Sequence, residues 1–173
     1  MRTTKFLLVL LTLVFAVPTA VCACGGGSQH PKMAAVKPGN MPSGASWDGV
    51  YYNAIWGYLH IVTDGGKFRA RWKRADESAF GEMDGTITGD VARFDWSEHK
   101  VGMVGQSATT KGKGYFRYTR PEGDNVDDML LGQWGLEDAE VGGGEWDAIK
   151  QRNLRPNLDA VGGEAEPGVG GWR

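Results

Sequence analysis

Cysteine is nearly absent from this chain of 173 residues: there are two, Cys22 and Cys24, both close to the N-terminus. No disulfide is expected beyond them, so any domain that follows must hold itself together with an apolar core. Histidine is almost as scarce. His30, His60 and His99 show no spacing that suggests a zinc pair. The chain has no Gly-x-Ser-x-Gly, the turn that presents a nucleophilic serine. Asp124-Asn125-Val126-Asp127-Asp128 is dense in oxygen but lacks the glycine and distal glutamate of a calcium loop. Gly142-Gly143-Gly144 follows acidic residues rather than a strand that opens into a helix, so no phosphate loop is expected. These gaps point away from an enzyme and give no reason to expect a metal or cofactor. Basic charge is not in excess either, with 19 Lys and Arg against 21 Asp and Glu. Nucleic acid is therefore not an expected partner.

Only one long hydrophobic run occurs, Phe6 to Val17, preceded by Arg2 and Lys5. It is about a dozen residues, whereas a transmembrane helix needs roughly 20, so it reads as a signal peptide rather than an anchor. Directly after it stands Val21-Cys22-Ala23-Cys24. This tetrad resembles the lipobox of bacterial lipoproteins: an aliphatic residue, a tolerant position, a small residue, then cysteine. Cys24 fits the pattern; Cys22 would put Val21 where a small residue is required. The resemblance implies cleavage before Cys24, lipidation of that cysteine with diacylglycerol and an acylated amino group, and attachment to a membrane through the lipid. Each buried CH₂ contributes about 0.8 kcal/mol, so two or three acyl chains anchor stably where one would not. In that family an aspartate after the cysteine retains the protein in the inner membrane. Gly25 stands there, which by resemblance implies the outer membrane, at its periplasmic or cell-surface face.

Residues 1–23 are thus read as signal peptide. Residues 24–46, rich in Gly, Pro and Ser, are read as a flexible tether. Residues 47–152 form one domain of ordinary size. Residues 153–173, where periodicity fades again, are read as a mobile tail.

The domain reads as all-β, since alternation with period two pervades it. Phe68, Ala70 and Trp72 share one face of their run, as do Ala92, Phe94 and Trp96 in the next, and Phe116 with Tyr118 in a third. Asp64-Gly65-Gly66 closes one hairpin, and Gly89-Asp90 forms a two-residue loop with glycine first, which suits a type II′ turn. Strands are expected near 47–53, 57–63, 67–74, 81–88, 91–97, 112–119, 128–134 and 144–150. Eight strands with short links make a single antiparallel meander, expected to close as a small barrel; a two-sheet sandwich is the alternative. Glycines in or beside strands, such as Gly81, Gly112 and Gly132, mark expected bulges or corners. The layout resembles the calycin group of lipocalin-like and avidin-like barrels, on pattern rather than motif. The opening reads Trp47-Asp48-Gly49, the reverse of the lipocalin Gly-x-Trp.

Seven tryptophans are many for this length, and six fall in the domain. They would fill a core without helices or disulfides, or line a barrel mouth for a small-molecule ligand. Candidate ligand residues on the second reading are Trp72, Trp96, Trp134 and Tyr118. A basic set including Arg69, Arg71, Lys73 and Arg74 lies on expected outer faces, as a solvated face or an interaction surface. The functional expectation is a membrane-anchored, non-catalytic cell-envelope component that docks an envelope protein in assembly, adhesion or motility. The alternative is a small-molecule carrier or sensor with an aromatic-lined barrel.

Overall fold

The structure, a computed structural model, describes residues 30–161. The signal segment, Cys24 and residues 162–173 lie outside the described residues. Among the described residues nine strands form one antiparallel sheet: β1 (Gly49–Asn53), β2 (Gly57–Asp64), β3 (Lys67–Lys73), β4 (Ala79–Thr88), β5 (Val91–Lys100), β6 (Thr109–Thr119), β7 (Met129–Leu136), β8 (Gly144–Glu145) and β9 (Ala148–Lys150). Each of β1 to β7 pairs with its successor, and β9 pairs with both β7 and β1. Eight strands therefore close as a barrel, with β8 an extra short strand on β7. The meander and the closure are as expected from the alternation, and closure leaves the ring with no open edge.

The turns follow their chemistry. Gly65 and Gly66 both take positive φ between the paired Asp64 and Lys67, as a type I′ hairpin needs. Gly89 takes φ 56 between paired Thr88 and Val91 while Asp90 does not take positive φ, in keeping with type II′. The expected last strand, 144–150, divides into β8 and β9 on one unbroken register against β7. The division arises because the Gly132 N–H donates to the Asp147 side chain rather than across the ladder.

The inward residues show why so many strand glycines are present. Trp72 stands opposite Gly81, Phe94 opposite Gly114, Trp96 opposite Gly112 and Phe116 opposite Gly132. A Cβ at Gly81 would lie 2.2 Å from the Trp72 ring, and one at Gly114 would lie 2.8 Å from Phe94. The strand register runs straight through these positions, so the glycines are floor space for aromatic rings rather than the expected bulges. Phe68, Phe94 and Phe116 pack together at mid-height, and Trp146 carries the stack on to Trp72 and Trp56. The interior is filled with side chains.

Two flanking segments lie on the barrel. Residues 30–46, part of the stretch read as a flexible tether, are strapped along its wall. Arg93 donates to the Ala34 and Val36 carbonyls at 3.1 Å each, and Arg117 donates to Lys37 at 2.7 Å. The Gly39 N–H donates to Asp90, whose own N–H returns to Gly39 at 3.1 Å. The strap ends in Trp47, which plugs that end of the barrel against Phe68 and Tyr118 and donates its indole N–H to Gly89. Residues 153–161, the described part of the expected mobile tail, lie along β2 and β3: the Asn157 N–H donates to His60 at 3.0 Å, and Val161 is buried. Backbone polar groups, invisible to a hydropathy reading, hold both segments where composition alone suggests freedom.

Candidate functional site

The four sequence-derived ligand candidates fall at two separate ends. Trp72 is 0 % exposed, held between Gly81 and Trp146. Trp96 is buried and donates its indole N–H to the Lys113 carbonyl at 3.1 Å. Trp134 is half-buried over Gly143 and Gly144, edge-on to Trp56 and Trp96. These three converge with Trp56 and Trp146 on the end of the barrel away from the Trp47 plug. Tyr118 lies at the plug, where its hydroxyl donates to Asp128 at 2.5 Å. Arg120 also grips Asp128, at 2.6 and 2.9 Å, and holds that carboxyl below the ordinary aspartate range. Burial raises the Tyr51 and Tyr118 phenols far above theirs. This end is a polar, hydrogen-bonded seal.

At the tryptophan end the Arg74 guanidinium lies 4.5 Å from the Trp56 ring centroid and makes a two-pronged ion pair with buried Glu98, at 2.8 and 2.9 Å. The pair closes the mouth over the aromatic cluster. Inside it, the indole N–H groups of Trp72 and Trp146 have no hydrogen-bond acceptor. Their rings meet edge to face with centroids 5.0 Å apart. Sequence reasoning named Trp72 but had no signal for Arg74 and Glu98 as partners, because cross-strand neighbours depend on register.

The basic outer set does not gather into a cationic patch. Arg69 faces Asp84 and Arg71 faces Glu82 across the β3–β4 ladder. Lys73 pairs with Glu77, Lys113 with Asp95, Arg117 with Asp90 and Arg120 with Asp128. The acidic partners lie both before and after their bases in the sequence, so the linear order does not reveal the matching.

What the outer wall does expose is apolar. Tyr52 on β1 and Tyr58 on β2 are a cross-strand pair with ring centroids 4.8 Å apart, and both are exposed. Ile149 on β9 stands opposite Tyr52; on β7 the half-buried Met129 stands opposite Ile149, and exposed Leu131 lies two residues along on the same face. Beside the tyrosines runs a groove of about 510 Å³ lined by Tyr52, Tyr58, His60, Lys73, Leu154 and Val161. His60 forms its floor; burial lowers its pKa, and its Nδ1 accepts the Asn157 N–H, so the neutral ring is favoured. Tyr52 and Tyr58 were missed in the sequence because an outward tyrosine on a strand looks like any half-buried one. Among the described residues, no three His, Cys, Asp or Glu side chains gather as a metal-binding set, and no helix is long and apolar enough to cross a membrane.

Compared with known proteins, the chain matches no family model, no curated protein and no solved structure.

Proposed function

We propose that this chain is a lipid-anchored, non-catalytic module of the bacterial cell envelope, fixed through Cys24 to the outer membrane, that holds a partner protein against its outer wall. The observation that carries the reading is the exposed stripe Leu131, Ile149, Tyr52 and Tyr58 across four adjacent strands, beside a groove and outside an interior filled with rings. Tyrosine offers a large contact area with a polar tip at low entropic cost, which suits protein recognition. Charges beside the stripe are matched within the wall, so the fitting partner presents an apolar patch without strong net charge. The test is crosslinking in envelope fractions with purification of the adduct. Tyr52→Ser with Tyr58→Ser should weaken the partner at least about tenfold if both are central anchors, with Glu122→Ala as an unaffected control. Equal recovery from both would refute the assignment of the wall.

The unpaired Trp72 and Trp146 N–H groups favour one second reading, a small ligand that carries an acceptor into the tryptophan end of the barrel. It requires the Arg74–Glu98 closure to open. Titration with fatty acids, sugars and haem-like compounds, followed by tryptophan emission, tests it; no saturable change with any of them would exclude it for those classes.

A further inference from the structure

The two ends of the barrel differ in chemistry. At the plug end the connections are Asp64-Gly65-Gly66, Gly89-Asp90 and the loop 120–128, which carries Glu122, Asp124 and Asp127, the last paired with Arg152, and one exposed apolar side chain, Val126. At the tryptophan end the tips are apolar: Ile55 between β1 and β2, Val101, Met103 and Val104 between β5 and β6, and Leu136 at the end of β7 are all exposed, Val104 at 88 %. The β5–β6 hairpin stands proud of that rim. Leu136 pairs with Gly112, and β6 continues three residues further to Thr109, about 10 Å at the usual strand rise, before the loop begins.

The described chain also begins at this end. His30 and Lys32 line a groove with Leu136, Glu137 and Gly143, and the Glu140 N–H donates to the Lys32 carbonyl at 2.8 Å. Between them and a lipid on Cys24 lie six residues, Cys24 to Gln29. Fully extended they reach roughly 20 Å. The strap contacts at Ala34, Val36, Lys37 and Gly39 fix the exit point, so only those six residues separate it from Cys24.

We propose that the Val101–Val104 loop, with Ile55 and Leu136 beside it, is a membrane-contact face seated on the leaflet that holds the acyl chains. This rests on the lipid-anchor reading above. The six-residue span starts at the tryptophan end and is shorter than the wall, since β6 alone runs eleven residues before it reaches the plug end. The rim also carries Asp76, Glu77, Glu137, Asp138, Lys100 and Lys111, so contact comes from apolar side chains entering the interface rather than from a cationic pull on anionic lipid.

The experiment uses the full acylated chain, in which Cys22 has left with the signal peptide and Cys24 is blocked. Val104→Cys then supplies a single reactive thiol for an environment-sensitive dye, with Asp124→Cys as its counterpart at the far end. Each protein is reconstituted in phosphatidylcholine vesicles with and without phosphatidylglycerol; intact mass and flotation report the anchor separately. The expected result is a blue-shifted dye at 104, quenched by a nitroxide on the lipid chains in both compositions, and a water-exposed dye at 124. Floating protein with an aqueous dye at 104 overturns the orientation and leaves the anchor standing. Shielding at 104 only after envelope proteins are added assigns the rim to a protein and also overturns it. A chain with no lipid mass that does not float overturns both readings.

Discussion

The pairing of glycine with aromatic across the ladder makes Gly81→Ala the most informative single change. Its Cβ would lie 2.2 and 2.3 Å from Cζ2 and Cη2 of Trp72 and 2.6 Å from the Ser97 carbonyl oxygen. Carbon atoms in contact prefer about 3.5–4.0 Å, so the overlap exceeds 1 Å at the ring, with a smaller one at the carbonyl oxygen on the other side. Trp72 is fully buried against Trp146 and cannot swing away cheaply. Overpacking of this kind costs about 1–3 kcal/mol, and the doubled contact puts Gly81→Ala near the upper end. In a domain of roughly 100 residues 1 kcal/mol corresponds to about 4 °C, so Tm should fall by roughly 10 °C. The ring share of that cost can be isolated. Trp72→Phe deletes both offending ring atoms, so in that background Gly81→Ala should cost only about 1 kcal/mol, the residue of the Ser97 contact. Urea denaturation of the four proteins measures the cycle. An unchanged Tm for Gly81→Ala, or strict additivity with Trp72→Phe, would refute the account of why glycine stands there.

Two of the lumen tryptophans, Trp72 and Trp96, should respond in an order that burial alone does not suggest. Trp96→Phe deletes a donor bonded to Lys113, whereas Trp72→Phe removes an unpaired one; in denaturant, the first should cost about 1–2 kcal/mol more although Trp72 lies deeper. Asp90→Ala strips partners from Arg117 and the Gly39 N–H; stability should drop by about 2 kcal/mol, with amide exchange of residues 36–41 accelerating before that of the strands. Asp128 titrates below its ordinary value, so its contribution is complete above about pH 4 and is lost as pH falls through the native value. The denaturant midpoints of wild type and Asp128→Asn should accordingly converge in acid. His60 also titrates below its ordinary value, so its stabilisation is present above about pH 6.5 and lost as pH falls through the native value. NMR titration should show the Asn157 amide losing protection together with protonation of His60.

The barrel was legible because its lumen is written in strict alternation. Phe68, Ala70 and Trp72, or Ala92, Phe94 and Trp96, identify the buried face without knowledge of any partner strand. Glycine was visible but its purpose was not: that Gly81 faces Trp72 depends on register, which side-chain period alone leaves undetermined. The same limit hid the Arg74–Glu98 closure, 24 residues apart, and the pairing of Lys113 with Asp95, Arg117 with Asp90 and Arg120 with Asp128. Strap and tail were illegible for another reason. Residues 30–46 carry little apolar periodicity, and what fixes them is the fit of their carbonyls to Arg93, Arg117 and Arg120. The outer wall left least trace, since Tyr52 and Tyr58 become a patch only when β9 and β7 extend it with Ile149 and Leu131.

The strap changes what a lipid on Cys24 would accomplish. A flexible tether of residues 24–46 would let the barrel wander over a root-mean-square distance of roughly 26 Å and tumble freely. With residues 30–46 bonded to the wall, six residues remain, and the strap carries the attachment point to the tryptophan end while its own far end closes the opposite mouth through Trp47. With a lipid on Cys24, anchor, rim and plug would lie in that order along the barrel, and a membrane at the rim would leave the plug end pointing away. The tyrosine pair and its groove lie on the outer wall close to the tryptophan-end rim, beside the β1–β2 turn and the β3–β4 loop, and face sideways rather than along the barrel axis. A partner that meets this wall is favoured if it is itself confined at the same height above the membrane, because both are then searched for in two dimensions at raised effective concentration. On this geometry, cutting the strap at Asp90 should weaken capture of a membrane-held partner while leaving intrinsic affinity for the stripe in detergent solution unchanged. Equal loss in both settings would mean that the strap shapes the wall itself and does not set its orientation.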